Sequence, residues 1–210
     1  MKTIAIWGVA SGLGATMAEY FHNHGFKVIG IARNPDKNAR LAELGIQTIS
    51  CDATVQHEVQ AAVESLPTGS WVVSTMGSFR ADVPVDYIGH RYLIDALESR
   101  GISRFLLVTS LGCGESWQYL SDGAKAAFGA AVREKSLAEA WLKSSKLDFT
   151  ILRPGGLKDG AATGQAQLSQ GTEVHGLINR IDVADLTRQL LERINSIGQT
   201  YQCVDPSLTY

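Results

Sequence analysis

The sequence lacks a hydrophobic run long enough for a membrane span or a secretory leader. Its first apolar stretch, residues 1–7, ends at Gly8. A membrane-spanning helix needs about 20 apolar residues, and the apolar centre of a leader is also longer than this stretch. The sequence therefore predicts a cytoplasmic protein that does not bind a membrane.

Cysteine is also scarce, and neither sign of charge is in excess. The three cysteines, Cys51, Cys113 and Cys203, are too few and too widely spaced for a disulfide framework or a Cys-x-x-Cys metal site. Reduced thiols and no bound metal are therefore expected. The formal net charge is −2, and no helix carries the basic stripe that is typical of nucleic-acid binders. We expect a small-molecule substrate, no nucleic-acid partner, and a monomer or homodimer.

What the chain does contain is an alternation of short β-branched runs with longer helical stretches, which is typical of a parallel sheet covered by helices. Its 210 residues and 45% hydrophobic content suit one domain over 1–210. The predicted fold class is α/β, a doubly wound parallel sheet (Rossmann fold) in three α/β/α layers. Strands are predicted at 3–7, 27–32, 46–50, 71–75, 105–109, 149–152 and 200–204, and helices at 12–24, 36–44, 55–66, 86–100, 124–145 and 183–194.

Two stretches that follow predicted strands show no clear periodicity. Residues 111–122 and 155–180 are predicted to be loops that form a small substrate-side region. The part at 158–172 is rich in Gly, Ala and Gln and is interpreted as an active-site loop. A connecting loop without function is the alternative.

A glycine-rich turn follows the first predicted strand and opens the first predicted helix, and this context makes a glycine motif specific. Gly8 permits a tight turn, Gly12 lets the backbone approach a pyrophosphate, and Gly14 allows the helix to pack closely on the strand. The helix N-terminus supplies free N–H groups and a partial positive charge. The predicted phosphate-binding residues are Gly8, Ala10, Ser11, Gly12, Leu13 and Gly14.

The second predicted strand is followed by no acidic residue at the position where NAD sites bind the ribose 2′-hydroxyl. Arg33 stands there instead, and Lys37 follows nearby. A guanidinium binds a phosphate through two N–H groups at once. The sequence therefore predicts NADP(H) as the cofactor, with an ordinary surface arginine as the alternative for Arg33.

The third and fourth predicted strands also end in residues that suit a dinucleotide. Asp52, with Ala53 beside it, can accept a hydrogen bond from an adenine amino group. Capping of the next helix by Asp52 or Thr54 is an equally good use. The fourth strand ends in residues that are predicted to let the dinucleotide pass close to the sheet: Thr75, Met76 and Gly77.

Three segments, 85–97, 101–112 and 135–157, resemble the atypical short-chain dehydrogenase/reductase superfamily. Within it, the chain is similar to the NmrA-like and biliverdin-reductase-B-like (flavin reductase) groups, over essentially its whole length. The resemblance is specific for the fold and the cofactor but weakly specific for the substrate.

The resemblance implies roles for residues beside the nicotinamide. Ser110, flanked by Thr109, matches a serine near the nicotinamide and the substrate. Lys135 matches the lysine of a Tyr-xxx-Lys pair, which holds the ribose, but the tyrosine position is Ala131 in this chain. The backbone stretch beside the nicotinamide is matched by Pro154, Gly155 and Gly156.

The missing tyrosine argues against ordinary alcohol dehydrogenation. Reduction of a conjugated acceptor needs above all a positioned hydride donor, and the proton can come from solvent. The expected function is an NADPH-dependent reductase of a flavin, quinone or bilin, with Ser110 and Lys135 as the catalytic residues. A non-catalytic NADP(H) sensor of the NmrA-like type is the alternative. A third candidate is an epimerase of an activated sugar, although the chain is short for the substrate domain that such enzymes have.

Overall fold

Strands and helices alternate along the chain. The computed structural model describes residues 1–78 and 83–209. The strands in this part are β1 (Thr3–Trp7), β2 (Lys27–Ala32), β3 (Gln47–Ser50), β4 (Trp71–Ser74), β5 (Arg104–Val108), β6 (Asp148–Pro154), β7 (Gly156–Lys158), β8 (Gln167–Ser169), β9 (Leu177–Asn179) and β10 (Gln199–Val204). The α-helices are α1 (Gly12–Asn23), α2 (Ala39–Glu43), α3 (Gln56–Glu64), α4 (Val85–Arg100), α5 (Asp122–Lys143) and α6 (Arg180–Glu192).

Within the described residues, the main sheet has eight strands in the order β3-β2-β1-β4-β5-β6-β10-β8. Its neighbouring strands are parallel, except that β8 runs antiparallel to β10. β7 and β9 form a separate parallel pair. Because the strand order reverses between β1 and β4, a crevice opens at the carboxyl ends of these two strands.

Helices cover both faces of the sheet. Ile4 and Ile6 of β1 pack in the core beneath α1 and α6, whereas Ala5 and Trp7 pack in the core beneath α3, α4 and α5. This period of two is what a strand buried on both faces requires. The predicted three-layer Rossmann fold is confirmed.

The predicted elements are present, with differences at their ends. β1 and β2 have the predicted bounds. The helix predicted at 36–44 is divided into a 3₁₀ turn (Pro35–Lys37) and α2, because Asn38 between them has a non-helical backbone (φ −111°, ψ 86°).

The two predicted loops contain regular structure, so the expectation of irregular backbone there is wrong. Residues 155–180 include β7, β8 and β9, and residues 111–122 include a 3₁₀ helix, Gly114–Tyr119. Three-residue strands are too short to show a periodicity. Their partners are also distant in the sequence, as in the pairing of β8 with β10.

No helix in residues 1–78 and 83–209 is long and apolar enough to cross a membrane. The three cysteines are buried free thiols. Cytoplasmic location, the domain bounds and the oligomeric state stay predictions.

Candidate functional site

A cavity of about 610 Å³ lies at the carboxyl end of the sheet, where the strand order reverses. The predicted residues that line it are Gly8, Ala10, Ser11, Gly12, Leu13, Arg33, Asp52, Ala53, Thr75, Met76, Gly77, Thr109, Ser110, Lys135, Pro154 and Gly155. Gly14, Lys37 and Gly156 lie outside its lining. The fold thus brings most of the predicted site residues together, and their contacts with a ligand stay a prediction.

The glycine-rich turn is packed too tightly for side chains at two positions. Gly8 has φ +97°, and a Cβ there would lie 2.8 Å from Thr75 Oγ1. A Cβ on Gly14 would lie 2.2 Å from the carbonyl oxygen of Gly8. Gly14 therefore serves the close packing of α1 on the turn. Asn38 Nδ2 donates to the Val9 carbonyl at 3.0 Å and holds the turn from the other side.

The N-terminus of α1 faces the cavity, and neither its N-cap nor its first turn supplies a side chain that neutralises it. Ser11 is the N-cap residue, but its hydroxyl makes no capping hydrogen bond, and the first turn contains no acidic residue. The first N–H groups of a helix have no intrahelical partners and carry a partial positive charge. This end of α1 is suited to bind an anion such as a diphosphate.

Arg33 and Asp52 stand together at the ends of β2 and β3. Their charged groups lie 3.9 Å apart, and the Arg33 side chain is 78% exposed, so it can turn toward a ligand. Lys37, by contrast, is an exposed residue of the Pro35–Lys37 turn and stays outside the cavity. Arg33 is therefore the better placed of the two for a 2′-phosphate.

The side chain of Asp52 stabilises a turn and does not cap a helix. It accepts hydrogen bonds from Thr54 N (3.0 Å) and Thr54 Oγ1 (2.7 Å). These bonds hold the pKa of Asp52 below its usual value. α3 begins only at Gln56, with Val55 as its N-cap. The predicted helix-capping alternative for Asp52 or Thr54 is therefore wrong.

Lys135 is held at the cavity wall by partners that sequence reasoning missed. Its Nζ lies 2.6 Å from Asp86 Oδ1 and donates to the Met76 carbonyl at 3.3 Å. A Cβ on Gly77 would lie 2.9 Å from the same Nζ, so this glycine leaves room for the ammonium. Burial alone would raise the pKa of Asp86, but the Lys135 charge and the hydrogen bonds from Lys135 and Ser78 lower it overall. The sequence signal that could have identified Asp86 is its position as an acidic residue in the first turn of α4.

A buried histidine supports Asp86 from behind. His90 Nδ1 donates to the Asp86 carbonyl at 2.6 Å, and His90 Nε2 accepts from Ser74 Oγ at 2.8 Å. Burial, helped by the nearby Lys135 charge, lowers the pKa of His90 to about 4. The ring is therefore neutral at physiological pH.

Ser110 and Thr109, side by side at the end of β5, have different partners. Thr109 Oγ1 donates to Glu139 at 2.7 Å, which commits its hydroxyl to the protein. The side-chain contact of Ser110 Oγ is a weak one to Cys113 Sγ at 3.6 Å. Ser110 is therefore the hydroxyl at this edge of the cavity that is available to a ligand.

A buried arginine lies behind Thr109 and was also missed. Arg153 Nε donates to Glu139 at 2.9 Å, and its Nη atoms reach both Glu139 and Glu115. Burial by itself lowers the pKa of Arg153, but the two carboxylates raise it above its ordinary value. The network joins β5, β6, α5 and the 3₁₀ helix Gly114–Tyr119. The sequence signal that could have identified Arg153 is its position as a single arginine in an apolar run.

The backbone after β6 enters a crowded region. A Cβ on Gly155 would lie 2.3 Å from the Gly176 carbonyl oxygen, so this position requires glycine. Pro154 and Gly155 line the cavity, whereas Gly156 is exposed at the start of β7. Two of the tryptophans contact other parts of the protein: Trp141 Nε1 donates to Asp95 at 2.8 Å, and the Trp117 ring lies beneath Arg133.

Three features of the site fit a dinucleotide: a glycine-rich turn with no room for side chains, an uncapped helix N-terminus, and a cavity where the strand order reverses. The fold and site therefore define a Rossmann-type dinucleotide-binding protein. The chain belongs to the NAD(P)H-binding family, whose model matches residues 8–193. The predicted nicotinamide dinucleotide cofactor and the resemblance to short-chain dehydrogenases/reductases are confirmed.

The chain is similar to several known proteins over different shares of its length. ChuY, an anaerobilin reductase from Escherichia coli O157:H7, is 44% identical with a TM-score of 0.91, and each chain is covered completely. The uncharacterized sugar epimerase YhfK of Bacillus subtilis is 26% identical over 98% of this chain and 94% of its own length. Sanguinarine reductase of Eschscholzia californica is 32% identical over 51% of this chain and 40% of its own length.

Proposed function

We propose that the protein is an NADPH-dependent reductase that transfers a hydride to a conjugated linear tetrapyrrole, a bilin. The observation that carries the proposal is the 44% identity, over both complete chains, with an anaerobilin reductase. Bilins are among the flat, conjugated acceptors that the sequence alone favours. The cavity supports the proposal because it joins a dinucleotide-binding turn to an edge with Ser110 and Lys135, and no tyrosine is among the described residues that line it.

The choice of NADPH over NADH rests on Arg33. Its side chain is largely exposed at the end of β2, and Asp52 beside it is occupied by Thr54. An acidic residue at the end of β2 would bind the ribose 2′-hydroxyl and repel a 2′-phosphate, whereas a guanidinium attracts the phosphate.

When bound, the nicotinamide cofactor supplies a hydride, and the acceptor gains this hydride on carbon together with one proton from solvent. The protein's share is to position the two flat rings and to hold charge beside them. We assign Ser110 Oγ a hydrogen bond to a polar group of the acceptor. We assign Lys135 a bond to the ribose, with its ammonium fixed by Asp86 and the Met76 carbonyl.

The test is NADPH oxidation, followed by loss of its absorbance, against bilins, flavins, quinones and simple carbonyls. We expect turnover with bilins. We expect Ser110→Ala to lower kcat/KM with the bilin by about tenfold, because one hydrogen bond to the acceptor is lost. The matched control is Ser99→Ala, because Ser99 lies on the exposed face of α4 and donates only to the Asp95 carbonyl.

Two results would contradict the proposal. Turnover confined to flavins or quinones would leave a reductase with a different substrate. NADPH binding without oxidation by any acceptor would favour a sensor of the NmrA-like type.

A further inference from the structure

Arg180 is a cationic side chain of the cavity that none of the roles above uses. It is the first residue of α6 and lines the cavity, and its side chain is 22% exposed. Its Nη1 donates to Asp159 Oδ1 at 2.8 Å, but the Asp159 side chain is 90% exposed. Its Nε is buried and has no hydrogen-bond partner within residues 1–78 and 83–209. A buried N–H normally has a hydrogen-bond partner, so the Nε of this guanidinium is available to a further anion.

The position of Arg180 identifies the part of the cavity that it serves. Its Nε lies 3.9 Å from the place that a Cβ would occupy on Gly12. The guanidinium therefore stands over the glycine-rich turn at the uncapped N-terminus of α1, which has no acidic residue in its first turn. Two sources of positive potential, a helix N-terminus and a guanidinium, converge on one place.

We infer that Arg180 binds the diphosphate of the dinucleotide beside the glycine-rich turn. The inference rests on the proposed use of the cavity for NADPH and adds a residue from the far end of the chain to its phosphate site. Nε and a second N–H of the guanidinium form the planar pair that suits a phosphate. Asp159 competes with the diphosphate for the same side chain, so its carboxylate opposes cofactor binding.

Nucleotide fragments test this assignment by calorimetric titration, without any need for turnover. The probes are 2′-AMP, which lacks the diphosphate, and 2′-phospho-ADP-ribose, which contains it. For Arg180→Gln we expect about tenfold to a hundredfold weaker binding of 2′-phospho-ADP-ribose, the loss of one charged hydrogen-bond pair. Binding of 2′-AMP should change by less than about twofold. Arg180→Lys keeps the positive charge and should lose less affinity for 2′-phospho-ADP-ribose than Arg180→Gln.

Two further variants distinguish a diphosphate contact of Arg180 from other effects on binding. Arg33→Ala should weaken both fragments alike, because both contain the 2′-phosphate, and should leave NADH binding nearly unchanged. Asp159→Asn should tighten binding of 2′-phospho-ADP-ribose by about twofold, opposite in sign to Arg180→Gln. A merely structural role for the Arg180–Asp159 pair would make both variants weaken binding.

Unchanged affinity for 2′-phospho-ADP-ribose in Arg180→Gln would overturn the assignment, as would an equal loss for both fragments. If the affinity were unchanged and the KM for the bilin were raised, Arg180 would bind the carboxylates of the substrate instead. If no acceptor oxidised NADPH but the two fragments bound the variants as expected, the proposed reductase activity would be refuted. The assignment of Arg180 to the diphosphate would remain supported. Wild-type protein that binds neither fragment would overturn both.

Discussion

At the scale of the residue, His90 shows how a group that touches no ligand can serve the site. The neutral ring joins Ser74 at the end of β4 to the Asp86 backbone, and Asp86 holds Lys135. Burial disfavours the charged imidazolium, and the nearby Lys135 ammonium adds to this effect, which is why the pKa of His90 falls to about 4 from its usual 6.5.

This low pKa predicts acid sensitivity. Because the unfolded chain binds the proton more tightly than the folded protein, the His90 contribution is fully present above pH 6.5 and is lost as the pH falls toward about 4. The loss in the free energy of unfolding is about 3 kcal/mol. Urea unfolding at a series of pH values should show it. His90→Gln should be less stable at neutral pH and have a flatter profile in this window, and an unchanged slope would contradict the prediction.

At the scale of the element, α1 begins on the glycine-rich turn because Gly14 lets the helix backbone lie against Gly8. Gly14→Ala places a Cβ 2.2 Å from the Gly8 carbonyl oxygen, where backbone would have to move on both sides. We expect a loss of about 3 kcal/mol in the free energy of unfolding and at least about tenfold weaker NADPH binding, since the phosphate-binding turn moves.

The matched control lies at the other end of the same helix. Gly25 has φ +79°, and no atom of the described part of the chain beyond its neighbours lies within 4 Å of an added Cβ. Gly25→Ala should therefore cost only about 1 kcal/mol of backbone strain and leave NADPH binding unchanged. Denaturation and a binding titration measure both effects. Equal loss of NADPH affinity in the two variants would show that general destabilisation, and not the turn, is responsible.

Elements were predicted well where their signal is local. β1 and the turn that follows it were predicted because a continuous apolar run, Gly8 and the helical pattern of α1 are adjacent in the sequence. β8 was missed because three residues show no period, and its strand character comes from pairing with β10. The substrate-side region is thus more regular than its composition indicates.

At the scale of the whole molecule, Arg153 ties together segments that lie far apart in the sequence. Its side chain is fully buried and is bonded to Glu139 of α5 and to Glu115, while Glu139 accepts from Thr109 at the cavity. Arg153→Met leaves Glu139 buried without its cation, so we expect a loss of about 3–5 kcal/mol in the free energy of unfolding. Chemical denaturation measures this loss.

An exposed arginine provides the comparison. Arg40 is 52% exposed and is paired with Glu19 and Glu43, so Arg40→Met should cost less than about 1 kcal/mol. The double variant Arg153→Met with Glu139→Gln should recover part of the loss, because no unpaired carboxylate stays buried. A double variant that is less stable than Arg153→Met alone would contradict the assigned cause.

The sequence by itself determined the fold class, the cofactor class and the phosphate-binding turn. Each depends on residues close together in the chain: a strand, Gly8 to Gly14 and a helix, then Arg33 at the end of the next strand. Tertiary structure alone decided that Asp86 fixes Lys135, that Thr109 is committed to Glu139, and that Arg180 stands over Gly12. These partners are distant in sequence and lie on different elements. Side-chain geometry and burial, which no local pattern encodes, bring them together.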